Sequence, residues 1–159
     1  MFSGKAHAAA TVITAGVASP AIVFLAQQPP LSAIAFAAGC MVGLVVTPDL
    51  DVRYRNTYSE TIMRHTAGRF VGLLWDILWL PYAYLIPRHR HWLSHTPLLG
   101  TALRLLYLLI LPALIWWILG YFAALPALPQ ITLSPVASWA LGGLVLVDAL
   151  HWAMDRLAR

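Results

Sequence analysis

Four long apolar runs alternate with short polar segments along the chain. They cover roughly 8–26, ended by "QQPP"; 31–47, ended by "PDLD"; 98–122, interrupted by Pro112; and 133–154. Each is close to the ~20 residues that a helix needs to cross a bilayer core. Pro20 and Pro112 are expected to kink their helices, which membrane helices tolerate. A fifth run over 68–87, "GRFVGLLWDILWLPYAYLIP", reads differently. Asp76 sits in its middle, and Pro81 is expected to break it into two short halves. Trp75, Trp79, Tyr82 and Tyr84 are the amphipathic aromatics of a membrane–water interface. This run is read as a re-entrant or interfacial helix. The expected fold is all-α integral membrane: four transmembrane helices plus the interfacial helix, in a single domain over 1–159 with no internal repeat.

The placement of charge supports four spans over five. The connections "AQQPPL" and "AALPALPQITLS" contain no Lys, Arg, Asp or Glu. Every charge lies at the N-terminus, between Asp49 and Arg104, or from Asp148 onward. With four spans all of these fall on one face, with both termini, and the positive-inside rule makes that face cytoplasmic. With five spans, Arg88, Arg90 and Arg104 move to the other side and the asymmetry is spoiled. The start, "MFSGKAHAAATVITAGV", has the lone lysine and apolar run of a signal peptide. No small-x-small cleavage site follows it, so it is read as the first membrane helix.

Composition agrees with the pattern. The chain is 60% hydrophobic and 10% charged, against about 25% charged in soluble domains. A soluble fold of this size has too little interior to hide that much apolar surface. The formal net charge of +4 is spread through short juxtamembrane segments, which suits anionic lipid headgroups and not nucleic acid. Cys40 is the only cysteine, which excludes a disulfide or a thiolate zinc site within one chain.

Candidate chemistry lies among six acidic residues and six histidines. Most fall at four places that the topology brings to one face: His7; Asp49 and Asp51; His89, His91 and His95; and Asp148, His151 and Asp155. The last three are spaced i, i+3, i+7 and share one helical stripe. Asp148 lies roughly 10 Å up the helix from Asp155, at or below headgroup level. A carboxylate there costs about 2.5–3.5 kcal/mol unless paired or bound to a cation, and the first three long helices offer it no evident partner. Imidazole nitrogen and carboxylate oxygen together suit zinc, manganese or iron. The ligands outnumber those of one tetrahedral ion, which points to two ions or to one with a substantial outer shell. Each element also has a plainer reading. His7 can be an interfacial residue, "PDLD" a helix stop, "HRHWLSH" a basic interfacial segment, and Asp148 with His151 a hydrogen-bonded pair joining two helices.

The "SGKAH" start, "TPDLD", "RHRHWLSHTPLLGT" and the terminal "HWAMD" resemble, in order and over nearly the whole chain, a bacterial family of uncharacterised metal-binding membrane proteins. They are similar as well to blocks of the LexA-regulated inner-membrane family of metal-dependent hydrolases, "RHRxxLSH" being the most specific. More distantly, the arrangement is similar to the all-helical zinc-dependent phospholipase C enzymes, by analogy only. The resemblance implies a metal set of His7, Asp49, Asp51, His89, His95, His151 and Asp155, in a protein of the bacterial inner membrane. His91 falls on a variable position, and it and Asp148 are candidates for an extra ligand or for a place behind the ligands. Arg90, with Arg53, is expected to meet the charge of a bound substrate.

The expected function is metal-dependent hydrolysis of a phosphoester, lipid or lipid-like, using one or two zinc or manganese ions, with the aromatic helix as lid or lipid path. The rivals are a non-enzymatic metal-binding membrane protein and a metal or proton transporter, which needs ionisable groups near mid-bilayer.

Overall fold

The computed structural model describes residues 3–53, 57–123, 126 and 132–158. These residues form helices and loops, and no strand occurs among them. The helices are α1 (Gly4–Phe24), α2 (Pro30–Val42), α3 (Tyr58–Ala67), α4 (Arg69–Leu85), α5 (Trp92–His95), α6 (Pro97–Phe122) and α7 (Pro135–Leu157), with a 3-10 turn at Pro48–Asp51.

Local chemistry sets most of the starts. Pro30, Pro97 and Pro135 stand at the first turns of α2, α6 and α7, where a missing N–H costs nothing. Ser3 and Ser134 cap α1 and α7 by accepting from the Ala6 and Ala137 amides. Thr57 and Glu60 form a capping box on α3. Gly68, at φ 91°, lets the chain pass from α3 straight into α4.

α1, α6 and α7 are each long and apolar enough to cross a membrane. The second apolar run is not: α2 has 13 residues, about 20 Å at 1.5 Å per residue. Gly43 caps its end and the chain turns before Pro48, whose ring disfavours a helical residue at 47. The aromatic run also departs from expectation. α4 continues through Pro81 as a single 17-residue helix. Most of the 123–134 connection lies outside the described residues.

α2 and α7 pack backbone to backbone. A Cβ on Gly39 would lie 1.8 Å from the Ala140 carbonyl oxygen, and one on Gly143 would lie 2.2 Å from that of Phe36. Small residues that let helices touch are the usual device of membrane bundles. Ala15, Ile22, Ala33, Phe36, Cys40 and Val147 fill the core among α1, α2 and α7. A second cluster joins Val46, Leu50, Trp79, Tyr82 and Ile86. Leu50 thus anchors the 3-10 turn on the aromatic face of α4, while its neighbours Asp49 and Asp51 are left to serve the site. By contrast, Leu109, Ile110, Leu114, Ile115, Trp117 and Ile118 of α6 are exposed.

Asp148 does have a partner on an earlier helix. The Arg104 guanidinium of α6 and the Thr101 hydroxyl both donate to its Oδ2. Arg104 and Asp148 are 1% and 2% exposed, so this pair ties α6 to α7 inside the protein.

Candidate metal centre

Five segments converge: the start of α1, the 3-10 turn, the loop after α4, α5 and the last turns of α7. The segments "RHRHWLSH", "PDLD" and the end of α7 therefore stand side by side. The stripe on α7 turns inward, with Asp148, His151 and Asp155 all buried, while Leu146 on the opposite face of the same helix is exposed.

Two histidines and two aspartates form a ring at the centre. His95 Nε2 lies 3.7 Å from Asp49 Oδ1 and 3.9 Å from Asp155 Oδ2. His151 Nε2 lies 3.4 Å from Asp49 Oδ1 and 3.7 Å from Asp155 Oδ2. These separations exceed the 2.7–3.2 Å of an N–H···O bond. They approach the ~3.3–3.6 Å edges of a tetrahedron whose corners sit 2.0–2.2 Å from a zinc ion. His95 Nε2, His151 Nε2 and Asp155 Oδ2 are buried without a hydrogen-bond partner among the described residues. Buried polar atoms are normally paired, and a cation satisfies all three at once. The residues present fit a divalent ion.

Around the ring, two triads bring one ligand atom from each member within 4.8 Å: His7, His151 and Asp155, and Asp49, His89 and His95. The His7 and His151 rings stack at 3.8 Å, and His7 Nε2 is 3.5 Å from Asp155 Oδ1. Asp51 stands one step back. Its carboxylate accepts from Ser94 Oγ at 2.6 Å and the Arg90 amide at 3.2 Å, and lies 2.7 Å from His89 Nδ1. Ser94 Oγ is 2.9 Å from His95 Nδ1. The imidazole N–H therefore donates to a hydroxyl that donates in turn to Asp51. That chain fixes the tautomer which presents the Nε2 lone pair to the ring, the usual work of an outer shell.

Charge follows the geometry. Burial pushes the Asp51 carboxyl up, but His89, His95 and Ser94 override it and bring its pKa down to about 2. Burial acts likewise on Asp49, and His151 with His95 hold it well below the usual carboxylate range. Burial pushes His95 down, but Asp49 and Asp51 outweigh it and raise its pKa. A raised histidine is stabilised by its carboxylates below the ordinary value near 6.5, and that stabilisation is lost as pH rises through the raised value. A metal needs the opposite state, the neutral ring. Metal affinity is therefore expected to fall about tenfold per pH unit below the raised His95 value, one proton being displaced. Competition with a chromophoric chelator between pH 5.5 and 8.5 measures this, and a flat profile contradicts it.

The remaining sequence candidates separate. Arg90 donates through Nη2 to Asp155 Oδ1 and through its amide to Asp51. These contacts hold it at φ 62°, a left-handed conformation that costs a non-glycine residue about 1–2 kcal/mol. His91 caps α5, its Nδ1 accepting from the Leu93 amide, and among the described residues no carboxylate pairs with it. Arg53 is engaged elsewhere: it donates to the Ala83, Ile86 and Pro87 carbonyls and lies over the Tyr84 ring, fastening the end of α4. Asp148 is taken by Arg104. Ser94 and Arg104 escaped the sequence reading. Ser94 neighbours a candidate ligand but carries no distinguishing pattern, whereas an arginine in an apolar run, facing an aspartate in another, was a usable signal.

Comparison with known proteins adds one finding. A family model described as uncharacterized metal-binding protein (DUF2227) matches residues 2–141. The match includes His7, Asp49, Asp51, His89 and His95, and stops short of His151 and Asp155. Neither the curated proteins nor the solved structures gave a match.

Proposed function

The chain belongs to this family of uncharacterized metal-binding proteins, and from that premise we propose that it is a membrane-embedded, metal-dependent hydrolase of phosphoesters. The observation that carries the reading is the ring of His95, His151, Asp49 and Asp155, whose inward atoms stand at cation spacing instead of hydrogen-bond spacing. Those four residues would hold one divalent ion, and a second would draw either on His7, beside His151 and Asp155, or on His89, beside Asp49 and His95. The mixed nitrogen and oxygen donors favour zinc or manganese. When bound, such an ion supplies Lewis acidity and brings the pKa of water toward neutrality.

The protein's own groups supply the rest. Asp51 and Ser94 orient His95, and Arg90 steadies Asp155 while keeping further N–H groups for a substrate oxygen. Asp49 is the more accessible carboxylate of the ring, its side chain 26% exposed, so the centre is open to solvent on that side. The three long apolar helices and the bare flank of α6 support a bilayer location. The basic residues near the site favour the cytoplasmic face of a bacterial inner membrane. Transport has little support, since the aspartate deepest in α7 is committed to Arg104.

Elemental analysis of purified, metal-loaded protein is expected to find one or two ions per chain. Turnover of a phosphoester panel is expected to stop with chelator and return with zinc or manganese. Protein that retains no ion after loading refutes the centre. Loaded protein inert across the panel refutes the hydrolase and leaves the centre.

A further inference from the structure

A cavity of about 210 Å³ adjoins the ring, with His95 and Asp155 in its wall. Three arginines, Arg88, Arg90 and Arg156, contribute to the same wall, with Trp92, Trp152 and Thr96. Among the described residues Asp155 is the only acid in that wall, and Arg90 already pairs with it. Three positive charges against one negative leave a surplus of two, carried by Arg88 and Arg156. Arg156 is held over the Trp152 ring, 5.1 Å from its centroid, so one indole fixes an arginine. The other, Trp92, is 60% exposed and offers an apolar surface at the rim.

From this arrangement we infer that the cavity binds a phosphate group, gripped by Arg88 and Arg156, with Trp92 against the organic part of the same molecule. Guanidinium forks recognise planar pairs of anionic oxygens. Two forks flanking one cavity can be met by the three or four oxygens of a phosphate, whereas a carboxylate has only two. The volume is below the ~300 Å³ at which drug-sized sites begin, which fits a phosphate with a small substituent. Arginine and tryptophan also gather at membrane interfaces simply as anchors. Anchors, however, need no concavity and no shared wall with candidate ligand residues. The inference deepens the hydrolase reading by naming where its substrate is held, but the grip itself does not depend on a metal.

The test uses the full chain in detergent, metal-free and zinc-loaded, titrated calorimetrically with inorganic phosphate, glycerol 3-phosphate and dihexanoyl phosphatidic acid. R88Q/R156Q is expected to bind all three at least tenfold more weakly in both metal states, with bound zinc unchanged. R88K/R156K, which keeps charge and loses the fork, should weaken binding severalfold, and it serves if the glutamine variant fails to fold. W92A should weaken phosphatidic acid and leave inorganic phosphate unaffected. Phosphatidic acid binding tenfold tighter than glycerol 3-phosphate identifies a lipid headgroup as the source, and equal binding identifies a soluble phosphate ester. Unchanged phosphate affinity in the arginine variants, or acetate competing as well as phosphate, overturns the proposal. Loss of zinc or turnover with arginine-dependent phosphate binding intact would instead count against the metal-dependent hydrolase alone.

Discussion

Alanine at His95 is expected to abolish metal binding, lowering affinity more than a hundredfold, while the protein still folds. The imidazole touches both aspartates of the ring, at 3.7 Å and 3.9 Å, so its loss opens two of the four edges together. Ser94→Ala provides the graded comparison. It breaks the link between His95 Nδ1 and Asp51 but removes no atom of the ring, and outer-shell losses typically cost 10–100-fold in affinity. Arg53→Gln is the control, because its guanidinium serves the carbonyls at the end of α4. It should lower stability and leave the ion count alone. Elemental analysis with chelator competition on all three variants gives the order His95→Ala, Ser94→Ala, Arg53→Gln. Parent stoichiometry in His95→Ala would remove the centre from this part of the molecule.

The contrast among these residues shows what the sequence can carry. Helical periodicity alone puts Asp148, His151 and Asp155 on one inward stripe, and the structure keeps them there. The convergence of "PDLD" with "RHRHWLSH" followed from the distribution of charge among the apolar runs. The separation of roles did not follow. Asp49 and Asp51 are alike in sequence, and they diverge only because Leu50 between them docks on Trp79 and Tyr82, pointing one carboxylate into the ring and the other toward Ser94. Arg53 was misleading for a related reason, since nothing in the chain signals three unpaired carbonyls at the end of α4. The length of α2 was likewise illegible from hydropathy, because apolar character continues to Val46 after the helix has ended at Val42. α3 left a readable mark in its Thr57–Glu60 capping box, but its polar sequence gives no membrane signal to attract attention.

Breaking the Arg104–Asp148 pair from either side is expected to destabilise the protein by about 3–5 kcal/mol, the range for stranding one member of a buried ion pair. Both groups are almost wholly inaccessible, so water cannot solvate the survivor. Arg104→Met and Asp148→Leu should each lower the unfolding midpoint in a denaturant titration of detergent-solubilised protein. The double variant should recover most of the loss, because an apolar pair of similar volume strands no charge. The two single variants then part company at the metal centre. Arg104 also donates through Nη1 to the Ser94 carbonyl at 2.9 Å, and Ser94 positions His95. Arg104→Met, alone or in the double variant, is therefore expected to weaken metal binding roughly tenfold, toward the low end of outer-shell effects. Asp148→Leu leaves the Ser94 contact in place and should bind metal nearly as the parent does. Single variants within 0.5 kcal/mol of the parent would show that the pair is solvated in the working protein. A stability loss without the difference in metal affinity would confine Arg104 to joining α6 and α7, with no influence on the orientation of His95.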